Sequence, residues 1–210
     1  MSIPVPSPLS LSAIVLAGGL SSRMGQDKAL MTVAGTPLLL RICHAAQCCT
    51  SEVYVMTPWP ERYASLLSAP EKPPIQLITE TVSPQSAVPH GPLVGFAQAL
   101  TRMQSEWVLL LACDLPRLQV EILQSWMQML PQLPETIIAA LPRHPQGWWE
   151  PLCGFYRRRS LADLEAFIAR GGRSFQQWLQ PLSVHELPLA DPAMLLNCNT
   201  PEELQRLADE

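Results

Sequence analysis

The stretch Ala13-Ile14-Val15-Leu16-Ala17-Gly18-Gly19-Leu20-Ser21-Ser22-Arg23-Met24-Gly25-Gln26-Asp27-Lys28 decides how this chain is read. It opens as a short apolar run and breaks into a polar loop with three glycines, an arginine and a lysine. A strand that pours into such a loop can wrap bare backbone N–H groups and fixed positive charge around a polyphosphate. The place also fits, because open α/β sheets bind ligands just beyond the carboxyl ends of their strands. Gly18 and Gly19 have a plainer explanation, a turn that needs positive φ. Neither G-x-G-x-x-G nor a Walker loop is present. Arg23 and Lys28 stand where two cations can bracket a triphosphate, with Gly25 turning the chain between them. The competing reading makes them a solvated surface loop.

Outward from this loop, apolar runs alternate with amphipathic stretches. Strands are predicted at Ala13–Ala17, Val53–Thr57, Ile75–Thr79, Trp107–Ala112 and Thr136–Leu141. Helices are predicted at Pro37–Cys48, Pro60–Ser68, Pro92–Met103 and Leu118–Leu130, three of them opening on a proline. Such alternation predicts right-handed βαβ units and a mainly parallel sheet. After Pro142 comes an aromatic loop, His144 to Pro151, then a strand at Leu152–Arg157. Ser160 and Asp163 suggest a capping box for a helix to Ala169, ended by Gly171, and Thr200-Pro201-Glu202-Glu203 a second. The fold class expected is α/β, a three-layer Rossmann-like arrangement, with residues 1–11 an extended tail and 12–210 one domain.

Composition narrows the classes. The chain has 210 residues, 15% charged, with a net charge of −4. That is long enough for a sizeable core without disulfides or metal. It excludes a disordered or a nucleic-acid-binding protein, and an anionic ligand must be met by local charge. The six cysteines form no C-x-x-C pair, so free thiols in a reducing cytosol are expected and zinc is not. Met1 to Pro8 carries three prolines and no basic residue, unlike a secretory signal, and no apolar run is long enough to span a bilayer. A cytoplasmic location is expected, with no membrane or nucleic-acid partner.

A second site lies at Cys113-Asp114-Leu115-Pro116. The preceding run, Trp107 to Ala112, reads as a central strand buried on both faces. A carboxylate at its end is costly unless it finds a partner. Mg²⁺, commonly held by carboxylates and phosphate oxygens, is one partner, and capping the next helix is the other use of Asp114.

Taken together, L-A-G-G-x-S-x-R-M-G-x-D-K resembles the hallmark of the molybdenum cofactor guanylyltransferases, within the nucleotidyltransferase group. Leu16, Ala17, Gly18, Gly19, Arg23, Met24, Gly25, Asp27 and Lys28 match. The resemblance implies that GTP is held by Leu16, Ala17, Gly18 and Gly19 through backbone groups, with Arg23 and Lys28 on its phosphates. It implies Mg²⁺ on Asp114, which moves that residue from helix cap to metal ligand, and catalytic roles for Arg23, Lys28 and Asp114. Glu80 resembles the family's acidic contact to the nucleotide ribose, usually Asp. Gly91 resembles the glycine of a Gly-Pro-Leu-x-Gly segment beside the nucleotide.

Asn197 and Asn199, in Asn-x-Asn-Thr-Pro-Glu, are similar to a segment near the pterin substrate. Trp148 and Trp149 suggest an aromatic wall for the pterin, or core packing. Leu-Ala-Gly-Gly and Asp-Lys favour guanine over cytosine, while Met56 or Thr57 replaces an asparagine that helps recognise guanine. The implied reaction transfers GMP from GTP to molybdenum-molybdopterin and releases pyrophosphate. Molybdenum-insertion proteins and recipient apo-molybdoenzymes are the implied partners. The rival readings are a cytidylyl- or sugar-1-phosphate nucleotidyltransferase of the same fold, or a non-catalytic protein that delivers a nucleotide or cofactor.

Overall fold

The computed structural model describes residues 9–19, 27–68, 73–81 and 91–197. Its elements run β1 (Leu11–Leu16), β2 (Thr32–Val33), β3 (Thr36–Pro37), α1 (Leu38–Gln47), β4 (Val53–Thr57), α2 (Pro60–Leu67), β5 (Gln76–Thr79) and α3 (Pro92–Leu100). They continue with β6 (Trp107–Ala112), α4 (Val120–Met129), β7 (Ala139–Pro142), β8 (Cys153–Arg157), α5 (Leu161–Ala169), α6 (Phe175–Leu179) and β9 (Val184–Leu187). Short 3₁₀ turns include Lys28–Leu30 and Pro192–Leu195.

Seven strands form one sheet in the order β5-β4-β1-β6-β8-β7-β9. Neighbours are parallel except where β8 runs antiparallel to β6 and β7. The expected α/β fold with a mainly parallel sheet is what forms. The period-2 alternation of strand side chains sends Ala13, Val15, Leu109 and Leu111 to one core under α1, α2 and α4. It sends Ile14, Val108 and Leu110 to another under α3, α5 and α6. β6 is buried along its whole length, as its unbroken apolar run requires. The second core holds an aromatic cluster, with Phe96 and Tyr156 rings 4.9 Å apart and Tyr156 stacked 5.9 Å from Trp178.

Connectivity fixes where a ligand can sit. From β1 the chain moves to β4 and β5 on one side, then returns to place β6 on the other. The strand order therefore reverses between β1 and β6, and the carboxyl ends there open a crevice. The ends are tied in register: the Ala17 N–H donates to the Met56 carbonyl at 2.9 Å, and the Cys113 N–H to the Leu16 carbonyl at 3.2 Å.

Some local expectations need correction. Ser160 does not cap α5. Its backbone is already helical, its side chain makes no cap bond, and Asp163 instead accepts from the Trp178 indole N–H at 3.1 Å. Burying that indole leaves its N–H in need of an acceptor, and Asp163 supplies one. Gly171 does end the segment in the left-handed region, at φ +89°. β1 starts at Leu11, inside the segment expected to be tail. β7 starts at Ala139 rather than Thr136, and α6 and β9 are elements that the apolar spacing did not suggest. The Thr200 capping box and residues 1–8 lie outside the described residues.

Candidate active site

A cleft of about 200 Å³ opens at the β1/β6 crevice. Its walls bring together Leu16, Ala17, Gly18 and Gly19 after β1, and Lys28 from the turn that follows. Glu80 after β5, Gly91 before α3, Asp114 after β6 and Asn197 near the C-terminus complete them. Every one of these was singled out from sequence. Arg23 and Asn199 lie outside the described residues. Trp148 and Trp149 do not line the cleft. Trp148 stacks on His144 with ring centroids 4.0 Å apart, and the Trp149 backbone is clasped by Gln176.

Lys28 and Asp114 meet across the cleft floor, Nζ to Oδ2 at 3.7 Å. Asp114 follows β6 and Lys28 opens the 3₁₀ turn before β2, so only the tertiary fold brings them together. Burial pushes the Asp114 carboxyl above its ordinary range, and the nearby Lys28 ammonium only partly offsets this. A carboxylate so placed gains from any additional cation. Among the described residues no group of three His, Cys, Asp or Glu gathers to hold a metal. A divalent ion here would therefore take most of its ligands from phosphate oxygens, as Mg²⁺ characteristically does. The donor set fits that ion.

The two glycines after β1 are not there for positive φ. A Cβ on Gly18 would sit 3.1 Å from Glu80 Oε2 and 3.1 Å from Pro58 Cδ, so a side chain here requires these neighbours to give by a few tenths of an ångström. A Cβ on Gly19, which lines the cleft, would meet nothing within 4 Å among the described residues. Gly91 does require its freedom, at φ +89°, to start α3 on Pro92. Glu80 is only 6% exposed, and its backbone N–H donates to the Thr57 carbonyl at 2.8 Å. Of the two candidates for the asparagine position, Met56 lines the cleft. The Thr57 hydroxyl is turned back to accept from the Trp59 N–H at 3.1 Å.

Tyr63 escaped the sequence reading, and Asp27 entered it only as a motif match. Asp27 accepts from the Ala29 N–H at 3.1 Å and caps the turn bearing Lys28. Tyr63 lines the cleft and donates its phenol O–H to Asp27 Oδ2 at 2.7 Å. The signal available was a tyrosine on the apolar stripe of α2, which by itself says only core.

Residues 13–185 match the family model of the MobA-like NTP transferase domain. A probable molybdenum cofactor guanylyltransferase of a Nostoc species is 57% identical over 96% of this chain and 92% of its own length. The chain belongs to the molybdenum cofactor guanylyltransferase family. Its counterpart from Synechococcus elongatus is 47% identical over 95% of this chain and 98% of that one. The molybdopterin-guanine dinucleotide biosynthesis protein A from Archaeoglobus fulgidus has the same fold, with a TM-score of 0.72. That likeness spans 94% of this chain and 97% of that one at 22% identity. As a member of the guanylyltransferase family, the protein is a nucleotidyltransferase. Among the described residues no helix is long and apolar enough to cross a membrane.

Proposed function

We propose that this protein transfers GMP from GTP to molybdenum-molybdopterin, in the cytoplasm, giving the guanine dinucleotide form and pyrophosphate. The observation that carries the reading is the meeting of Lys28 and Asp114, 3.7 Å apart, under a glycine-walled cleft at the switch point. The names borne by the Nostoc and Synechococcus relatives support it. An oxygen of the pterin's terminal phosphate attacks the α-phosphorus of GTP. The bond between the α- and β-phosphates breaks, and pyrophosphate leaves with its electrons. No protein nucleophile is needed, and positioning with charge stabilisation is the protein's main contribution. Lys28, with Arg23, neutralises charge growing on the phosphates. Asp114 would hold Mg²⁺, which when bound supplies further neutralisation of the same oxygens. Leu16 to Gly19 present bare backbone to the base, Glu80 and Gly91 flank the nucleoside, and Asn197 with Asn199 contacts the pterin.

Pyrophosphate release with loaded molybdopterin, Mg²⁺ and each of GTP, CTP, ATP and UTP tests this. Release with GTP above the other three is expected. Preference for CTP would transfer the protein to the cytidylyl reading, for which the non-asparagine pair Met56 and Thr57, with Met56 lining the cleft, is the favouring observation. Tight GTP binding without release would make it a delivery protein.

A further inference from the structure

We propose that Tyr63 is a positioning residue for the transfer: with Arg62 it holds the Asp27 carboxylate, and so keeps Lys28 aimed at Asp114. This rests on the role proposed above for Lys28.

Among the described residues the Asp27 carboxylate has three ties. One oxygen accepts from the Ala29 N–H, capping the single 3₁₀ turn Lys28–Leu30. The other accepts the Tyr63 O–H at 2.7 Å and lies 3.6 Å from Arg62 Nη1. Tyr63 and Arg62 are neighbours on α2, which is firmly seated. Tyr63 is 1% exposed within the core beneath the sheet, and the Arg62 guanidinium lies 4.3 Å over the Trp59 ring. Through Asp27, a helix packed on β4 and β5 is joined to the turn that carries the phosphate-binding lysine.

A 3₁₀ turn this short does not support itself, since its hydrogen bonds are poorly aligned and few. Its orientation comes from its cap. If Asp27 swings free, the turn bearing Lys28 loses its anchor, and the flexible lysine stem samples positions away from the phosphates. A displacement of about 1 Å at a catalytic group can cost on the order of 10²-fold in rate. A phenylalanine would fill the same volume under α2, so packing alone does not ask for the hydroxyl. A buried hydroxyl without a partner is costly, whereas one donating to a carboxylate makes a strong, short bond. Burial, and then the Asp27 carboxylate, push the Tyr63 phenol far above its ordinary range, so it remains a donor wherever the enzyme works.

The test is a double-mutant cycle on pyrophosphate release, using Tyr63→Phe, Lys28→Ala and the pair. Tyr63→Phe keeps the ring and the fold. It is expected to lower kcat on the order of 10-fold with KM for GTP little changed. In the Lys28→Ala background the same substitution is expected to change residual turnover hardly at all. Asp27→Asn, which keeps the shape but loses the charge, should match Tyr63→Phe. Turnover of Tyr63→Phe within about twofold of wild type, or an equal loss in both backgrounds, overturns the proposal and leaves Tyr63 a purely structural residue.

Wild-type protein that releases no pyrophosphate from any nucleotide would instead sink the functional reading. The positioning role is then read from acetylation of the Lys28 amine by acetic anhydride, followed by mass spectrometry. Several-fold faster labelling in Tyr63→Phe supports it, and an unchanged rate overturns it.

Discussion

Gly18 and Gly19 are adjacent and chemically identical, yet the structure expects opposite outcomes when each becomes alanine. At Gly18 the new methyl meets Pro58 Cδ and Glu80 Oε2, each at 3.1 Å, a few tenths of an ångström inside ordinary contact. Pro58 is a ring in the turn after β4 and has little freedom, so the buried Glu80 must yield. Overpacking of this kind costs about 1–3 kcal/mol. At this chain length each kcal/mol lowers the thermal midpoint by about 2–4 °C. Because Glu80 is pushed from the cleft wall, KM for GTP should rise roughly tenfold or more, the worth of one hydrogen bond to a charged group.

At Gly19 the methyl meets nothing within 4 Å among the described residues, and the backbone is not in the left-handed region. Stability should be unchanged or rise by about 0.4–1 kcal/mol, through reduced freedom of the unfolded chain. Only nucleotide affinity should suffer, as the methyl intrudes on the cleft. Calorimetric unfolding and GTP-dependent pyrophosphate release measure both quantities. Gly18→Ala with wild-type stability, or Gly19→Ala losing as much, would refute the account of why these residues are glycine.

Other outcomes are expected. Lys28→Ala should fold normally and lose about 10²–10³ in turnover, and Lys28→Arg should recover little, because a planar fork does not replace a compact ammonium. Circular dichroism beside steady-state rates checks both. Asp114 has a folded-state pKa raised above its unfolded value, so in the folded state its charge is disfavoured even with Lys28 present. Protein stability linked to this residue is therefore fully present below the unfolded pKa, near 3.8, and is lost as pH rises through the folded one.

Asp114→Asn should thus unfold at the same temperature as wild type or higher at pH 7, with the difference vanishing as pH falls, while turnover collapses. A lower midpoint at neutral pH in thermal scans would contradict this. Ser160 carries a buried hydroxyl with no hydrogen-bond partner among the described residues. Ser160→Ala should raise stability by about 1 kcal/mol in chemical unfolding, and a loss of that size would show that the hydroxyl is satisfied in solution.

The legible parts of this protein are those where one segment carries the whole message. The run Trp107 to Ala112 is apolar without interruption, so it is a central strand in any context, and the observed bounds agree. The switch from strand to glycine loop at Leu16 likewise marks a ligand-binding end. Proline at Pro60 and Pro92 starts α2 and α3 at the expected residues. Less legible were the elements whose side chains answer to distant partners. Asp163 looks like a capping residue until the Trp178 indole arrives from α6 to claim it. β9 is short, half polar and only partly buried, and is a strand because β7 supplies its hydrogen bonds.

The same division holds for the site. Local sequence singled out the charged candidates: Lys28 for phosphate, by its charge in a glycine-rich loop, and Asp114 for a cation, by its position after a buried strand. Tertiary structure decided that they face each other, since Asp114 follows β6 and Lys28 opens a turn far earlier in the chain. It also decided why Gly18 is glycine, because Pro58 and Glu80 reach it from two other strand ends. The Asp27–Tyr63 tie is wholly tertiary. A carboxylate and a phenol 36 positions apart carry no mutual signal in sequence, and become partners only when α2 packs beside the turn. Sequence patterns report what a residue does to its own segment, and the chemistry of a cleft depends on what other segments bring to it.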